Sequence, residues 1–422
     1  MNNKLAIHGG KPVIKKDFER YNPYGSEELN AAKEVIEGGV LSDFYGTNSD
    51  KFLGGEQVRK FEEEIARFYG VNFAVTFNSW TSGLVASVGA LDLEPGDEII
   101  VPTWTMTATA MAVIQWNCIP IFADINPNTF NICEISLENN ISKKTKAIMA
   151  VAIFGLPANI KKIKEIARKY DLKIINDSAQ SPLSKINGKF VGTESDIGGF
   201  SLNYHKHFHT GEGGIIITND ENLYRRSCLI RNHGEICLNE GEEVSNILGQ
   251  NFRMGEIEAA MGREQLKKID GLVGAKTNIA EKLTSSLQNL NGIKLTEIPE
   301  GYTHSYYLFP IVLDLKILGL DREKVVKALI SEGVPVWVGY QNLHLLPIYQ
   351  NKIAYGKSGI PWSLSQSRKN ISYKKGICPV AEDYHDNSFI FLPICSYNLD
   401  EKDVELIIEA FNKVWHNLDT LK

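Results

Sequence analysis

Long apolar runs are missing from this chain. The most apolar stretch, residues 147–154, falls far short of the ~20 residues a membrane helix needs, and the opening MNNKLAIHGGKPV holds no sustained apolar segment of the kind a secretory signal uses. Basic charge is also short. Lys and Arg number 45 against 51 Asp and Glu, a formal charge of -6, which argues against a nucleic-acid binder and its concentrated basic face. Cysteine is sparse too: Cys118, Cys133, Cys228, Cys237, Cys378 and Cys395 are scattered, and none forms a C-x-x-C pair. That excludes a zinc ribbon or paired redox site and leaves reduced, structural thiols as the expectation. The chain reads as a cytoplasmic protein that meets small molecules or other proteins, with no membrane and no nucleic acid.

With 422 residues, 43% of them hydrophobic, the chain can bury a full core and is expected to divide into two domains. In EQVRKFEEEIARFYG, Val58, Phe61, Ile65 and Phe68 recur at helical spacing, and Gly70 is the C-cap candidate. Short apolar strands follow in alternation with helices: FAVTF (73–77), EIIVP (98–102), IPIFAD (119–124), AIMAVAIFG (147–155) and LKIIN (172–176), with helices predicted over 81–91, 107–115 and 159–170. This alternation predicts an α/β fold around a mostly parallel sheet covered on both faces. Ligands of such sheets gather at the carboxyl ends of the strands, where Asp177 stands. From about residue 251 the texture becomes helical and then mixed, so the expected division is a large α/β domain over 1–270 and a smaller α+β domain over 271–422, ending in an amphipathic helix with Val404, Ile407, Ile408 and Phe411 on one face.

The stretch NYHKHFHTGEGG (203–214) carries the chemistry, and three readings compete for it. His205, His207 and His209 alternate and on a strand would share one face, as three zinc ligands do, but no matching acidic ligand accompanies them. TGEGG lacks the Lys-Ser/Thr ending of a P-loop and precedes a strand, GIIIT, where a P-loop precedes a helix. The glycines suit tight turning beside something bulky. Lys206 is the third reading: a lysine can form a Schiff base with an aldehyde cofactor, and Asp177, 29 positions earlier, could hold a protonated pyridine nitrogen. Both residue types are common, so spacing alone leaves the choice open.

The runs NDSAQSPLS (176–184) and GGFSLNYHKHFHTGEGGIIITND (198–220) resemble the DegT/DnrJ/EryC1/StrS family of sugar and cyclitol aminotransferases. So do AIHGGKPV near the start, RNHG at 231–234, NFRMGEIEAAMGREQL at 251–266 and CPVAE at 378–382, in the family's order and across nearly the whole chain. The resemblance implies a fold-type-I enzyme using pyridoxal 5'-phosphate, with Lys206 as the Schiff-base lysine and Asp177 as the partner of the pyridine nitrogen. It places Gln180 near the cofactor's phenolic oxygen and Ser201 on its phosphate. It also sets Trp80 and Thr81, at a helix start, where backbone amides cradle that phosphate, an arrangement that free N–H groups and the helix dipole independently favour. Asn251 matches an asparagine that reaches the phosphate of the neighbouring subunit, which implies a homodimer. The implied reaction moves nitrogen from glutamate or glutamine to a keto-sugar, nucleotide-linked in the leading case, or to a cyclitol ketone.

Two departures matter. In PTWTMTAT (102–109) the family usually sets an aromatic residue at the position of Met106, stacked on the cofactor ring, whereas here the aromatic is Trp104, two positions earlier and on the same face of a strand. Either Met106 packs on the ring through its sulfur, or Trp104 takes over, or the pair is buried in the core. One branch of the family replaces the lysine by histidine and becomes a sugar dehydratase. Counting back five from Gly211 lands on Lys206, and the register favours transamination over that alternative. A non-catalytic binding protein on the same scaffold stays open, and incubation with glutamate, which would convert the cofactor to its amine form only in an enzyme, separates the two. His233, His304, His344 and Tyr349 are candidates for substrate contact or for plain structure, and residues 42–55 are where acceptor specificity is expected.

Overall fold

The computed structural model describes residues 4–46, 49–234, 247–364 and 371–422, so Cys237 and part of the 42–55 loop lie outside the described residues. Helices α1 (Ser26–Gly38) and α2 (Glu56–Tyr69) lead into the sheet; α2 buries Val58, Phe61, Ile65 and Tyr69 and ends where Gly70 turns left-handed at φ 68°. The strands then run β1 (Phe73–Phe77), β2 (Glu98–Pro102), β3 (Ile119–Ala123), β4 (Thr145–Val151), β5 (Lys173–Asp177), β6 (Ile197–Ser201) and β7 (Gly214–Thr218). Between them lie α3 (Trp80–Ala90), α4 (Thr107–Gln115) and α5 (Ile160–Tyr170), and α6 (Glu221–Arg231) follows β7.

The spatial order is β1-β7-β6-β5-β4-β2-β3. β7 runs against both of its neighbours, and the other paired strands are parallel. The apolar runs read from the sequence are buried on both faces, as a helix-covered parallel sheet requires: Ile99, Ile100, Val101, Ile148 and Met149 are fully inaccessible. The predicted strand over 147–155 stops at Val151, because Phe154 sits at φ 59° and the chain turns there into a short 3-10 segment.

Helix α7 (Glu256–Leu287) is 32 residues long and crosses position 270 without a break. Its first half packs Ala259, Leu266 and Ile269 against α2, and its second half packs Ile279, Leu283 and Leu287 into a separate core. That second core surrounds a four-stranded antiparallel sheet of β8 (Ile293–Leu295), β9 (Phe309–Leu313), β10 (Trp337–Val338) and β11 (Phe389–Leu392), in the order β8-β9-β11-β10, with α8 (Arg322–Ser331) and the terminal α9 (Glu401–Trp415). The first residues of the chain lie with this core: Leu5 and Ile14 pack into it, and the buried Glu332 carboxylate accepts the N–H groups of Ala6 (2.8 Å) and Val13 (3.1 Å). Among the described residues no helix is long and apolar enough to cross a membrane.

Candidate active site

The carboxyl ends of β2, β4, β5 and β6, the N-terminus of α3 and the β6–β7 connection enclose a cavity of about 440 Å³. Trp80, Thr81, Met106, Asp177, Gln180, Ser201 and Lys206 line it, together with Thr109, His205, Glu212 and Tyr307.

Asp177 is the last residue of β5, set between β4 and β6 by the parallel ladder. Its Oδ1 accepts the Trp80 indole N–H (2.7 Å) and the Ala179 amide (3.2 Å), and its Oδ2 accepts the Thr109 hydroxyl (2.8 Å). Gln180, three residues on, has its amide oxygen held by the Phe154 N–H (2.6 Å) and its Nε2 near the Tyr340 hydroxyl (3.4 Å). Ser201 ends β6, and its hydroxyl accepts the Asn203 amide (3.2 Å). Across the cavity, Ser79 caps α3 by accepting the Ser82 N–H, and the first-turn residues Trp80 and Thr81 face the cavity. Helix starts carry unpaired N–H groups that favour an anion.

Residues 202–213 form a loop closed by Tyr204 N–H to Gly211 C=O (2.9 Å) and Leu202 N–H to Gly213 C=O (2.9 Å), so the strand that a metal reading of the three histidines would need is not formed. The imidazoles diverge. His205 lines the cavity and stacks on Tyr204 at 3.7 Å; buried His207 bonds the Ser305 carbonyl (2.7 Å); His209 meets the Tyr24 hydroxyl (3.0 Å). Burial lowers His207 to about 3 and His209 to about 4, so both are neutral.

The loop aims Lys206 into the cavity, its Nζ 4.2 Å from the centre of the Tyr307 ring. Desolvation by burial lowers the amine to about 8, with Asp177 and Cys395 opposing the shift. Pyridoxal phosphate fits this donor set: a lysine near neutrality for the aldehyde, a fixed carboxylate for the pyridine nitrogen, and a helix start with a serine hydroxyl for the phosphate. The volume is also that of a small-molecule site.

Several expectations need correction. Trp104 does not line the cavity. It is fully buried among Phe130, Phe154, Tyr340, Tyr384 and Phe389, with its indole N–H on Asn342 Oδ1 (2.8 Å). β2 ends at Pro102 and the chain turns into α4, so Trp104 and Met106 do not share a strand face; Met106 precedes α4 and stands 61% exposed at the cavity. His344 and Tyr349 are core residues, His344 bridging Thr103 and Glu382. Buried His304 stacks on Tyr306 at 3.8 Å. Asn251, whose expected role lies in a neighbouring subunit, is a separate case: it is exposed and pairs with Asn232 in an isolated bridge outside this chain's own cavity lining. Sequence reasoning missed Thr109 and Tyr307. Thr109 sits one helical turn after Thr105, whose hydroxyl it meets at 2.7 Å, and a polar pair at a strand-to-helix junction was the available signal. Tyr307 arrives from the chain before β9, and nothing local to it announces the site.

Comparison with known proteins agrees with this geometry. The family model of the DegT/DnrJ/EryC1/StrS aminotransferase family matches residues 45–373. The chain is 34% identical over 303 residues to UDP-N-acetyl-3-dehydro-alpha-D-glucosamine 3-aminotransferase of Acidithiobacillus ferrooxidans, spanning 72% of this chain and 78% of that protein. It is 31% identical over 327 residues to GDP-perosamine synthase of Vibrio cholerae, spanning 77% and 87%. Among solved structures, Helicobacter pylori PseC, an aminotransferase involved in the biosynthesis of pseudoaminic acid, superposes with a TM-score of 0.77 at 26% identity, over 95% of this chain and 100% of that one.

Proposed function

The chain belongs to the DegT/DnrJ/EryC1/StrS aminotransferase family and is a pyridoxal-phosphate-dependent aminotransferase, and from that premise we propose that it aminates a nucleotide-linked keto-sugar with nitrogen from glutamate or glutamine. The acceptor class rests on the relatives at 31% and 34% identity, whose names are those of nucleotide-sugar enzymes. The observation that carries the residue roles is a lysine aimed into the same cavity as an aspartate held by three hydrogen bonds.

When bound, pyridoxal phosphate supplies an aldehyde that takes an amine and a protonated ring that accepts the electron pair left when a proton leaves carbon. Lys206 would hold the aldehyde and, once displaced by the donor, carry the proton from the donor's Cα to the cofactor's C4' carbon; it would run the reverse transfer onto the sugar. An amine lowered to about 8 is a base poised for both directions. Asp177 would keep the pyridine nitrogen protonated, Gln180 would face the phenolic oxygen, and Ser201 with the first turn of α3 would take the phosphate. Met106 would pack on the ring face, and Trp80 and Thr81 would offer their amides.

A homodimer is part of the proposal. Leu29, Ile36, Val40, Leu41 and Tyr45 are each more than half exposed and supply an apolar surface for a second copy to cover, and exposed Asn251 would reach the partner's phosphate site. The reaction belongs in the cytoplasm, in keeping with free thiols at all described cysteines.

The test is to offer the purified holoenzyme glutamate or glutamine with a panel of nucleotide-linked keto-sugars and cyclitol ketones, reading products by mass. A nucleotide-sugar acceptor should gain an amino group, and Lys206→Ala should abolish the gain. Loss of water instead of gain of nitrogen, or amination confined to cyclitols, overturns the reading.

A further inference from the structure

Three glycines leave room for Trp80: Gly83 and Gly199 open a slot for its indole, and Gly214 makes room for its backbone. A Cβ on Gly199 would stand 2.0 Å from Trp80 Cη2, one on Gly83 would stand 2.6 Å from its Cε3, and one on Gly214 would stand 2.5 Å from its Cα. Gly199 on β6 is the register partner of Asp177 on β5, so the slot and the carboxylate are fixed to one rung of the ladder. The ring crosses Gly199 and ends with its N–H 2.7 Å from Asp177 Oδ1, while the Thr109 hydroxyl, itself joined to Thr105, holds Oδ2 at 2.8 Å.

We propose that Trp80 is the positioning residue for Asp177: its indole N–H, opposed by the Thr109 hydroxyl, fixes the carboxylate in the orientation from which it meets the pyridine nitrogen. The proposal rests on the reading of Asp177 as the pyridine's partner. A carboxylate has about four acceptor sites, and three are taken by Trp80, Thr109 and the Ala179 amide, which leaves one for the cofactor. Indole is a donor only, so the Asp177 oxygen it meets is the acceptor. Hydrogen bonds to a buried charge are stronger than neutral ones, and a group locked by such partners loses little freedom when it engages a ligand. The side chain of Trp80 thus has a task distinct from that of its backbone amide: the amide faces the phosphate end of the cavity, and the indole N–H sets the carboxylate at the pyridine end. The glycines at 83 and 199, on α3 and β6, are explained together by this one ring, and Gly214 on β7 leaves room for the Trp80 backbone.

The experiment compares Trp80→Phe, Thr109→Val, Asp177→Asn and the Trp80→Phe/Asp177→Asn double variant, each reconstituted with pyridoxal phosphate labelled with nitrogen-15 in the ring. Cofactor affinity is read by spectral titration and the protonation of the ring nitrogen by its resonance position. Trp80→Phe is expected to weaken cofactor binding at least about tenfold, the worth of one hydrogen bond to a charged group, and to move the resonance toward the unprotonated value. In the Asp177→Asn background the same substitution should change affinity less than about twofold. An unshifted resonance with unchanged affinity overturns the proposal, as does an equal loss in the Asp177→Asn background, which would make Trp80 a packing residue. Tighter binding in Trp80→Phe also overturns it, because the indole would then be competing with the cofactor. Should Trp80→Phe fail to fold, Thr109→Val must shift resonance and affinity in the same sense, and no shift there is equally fatal. If Asp177→Asn itself leaves the resonance unmoved, the role of Asp177 has failed, an outcome distinct from failure of the role given to Trp80.

Discussion

Lys206 in the cofactor-free protein should titrate near pH 8, where an ordinary lysine titrates near 10.5. The cause is desolvation: the amine lies over the Tyr307 ring in a cavity where the charge of Asp177 only partly offsets the loss of water. At pH 7.5 a group with a pKa of about 8 is roughly one-quarter neutral, against about one part in a thousand for an unperturbed lysine, so reaction with an amine-selective reagent should be about two hundred times faster. The assay is the rate of labelling at the Lys206 peptide across pH 6 to 11, read by mass. Asp177→Asn removes the charge that holds the value up, so its midpoint should fall below that of the native chain. The stability consequence has a defined sign. The folded state favours the neutral amine, so the ammonium opposes folding below about pH 8, and the penalty fades as pH rises from about 8 to 10.5. Lys206→Met should therefore resist urea better than the native apo chain at pH 7, with the difference closing by pH 10.5. A labelling midpoint near 10.5, or a midpoint that rises in Asp177→Asn, refutes the reasoning.

Two further outcomes follow from the geometry. Gly199→Ala must displace the Trp80 indole, since its Cβ would lie 2.0 Å from Cη2; a loss of about 1–3 kcal/mol in urea unfolding is expected, and an unchanged midpoint would mean the slot is not filled as described. Trp104→Leu should lower stability by about 2–4 kcal/mol through the cavity it leaves among five aromatic rings, while cofactor affinity stays at the native level; the opposite pattern would restore Trp104 to the site.

Where apolar periodicity and a terminating glycine or proline coincide, the sequence and the structure agree closely. FAVTF and EIIVP are strands to the residue, α2 ends at Gly70, and Asp177 stands at a strand end facing a cavity that also holds Lys206. The failures share one cause, the tertiary setting of a local pattern. Alternating histidines imitate a strand face, but the backbone closes on itself from Tyr204 to Gly211 and each imidazole finds its own partner. The PTWTMTAT run reads as one extended face, but Pro102 ends the ladder and Trp104 turns into the main core, with its indole N–H on Asn342. A change of texture near 270 suggests a boundary, but α7 is amphipathic toward different neighbours in its two halves and needs no break. The partnership of Trp80 with Asp177 was out of reach for sequence reasoning, because Gly199, which leaves room for the ring, lies 119 positions after Trp80 and meets it only in the folded sheet.

The most direct measurement is borohydride reduction of the holoenzyme followed by peptide mass analysis. A pyridoxyl group on Lys206, absent in Lys206→Ala together with all nitrogen transfer, is the predicted result. A label on another lysine, no label at all, or nitrogen transfer that survives Lys206→Ala would contradict the account.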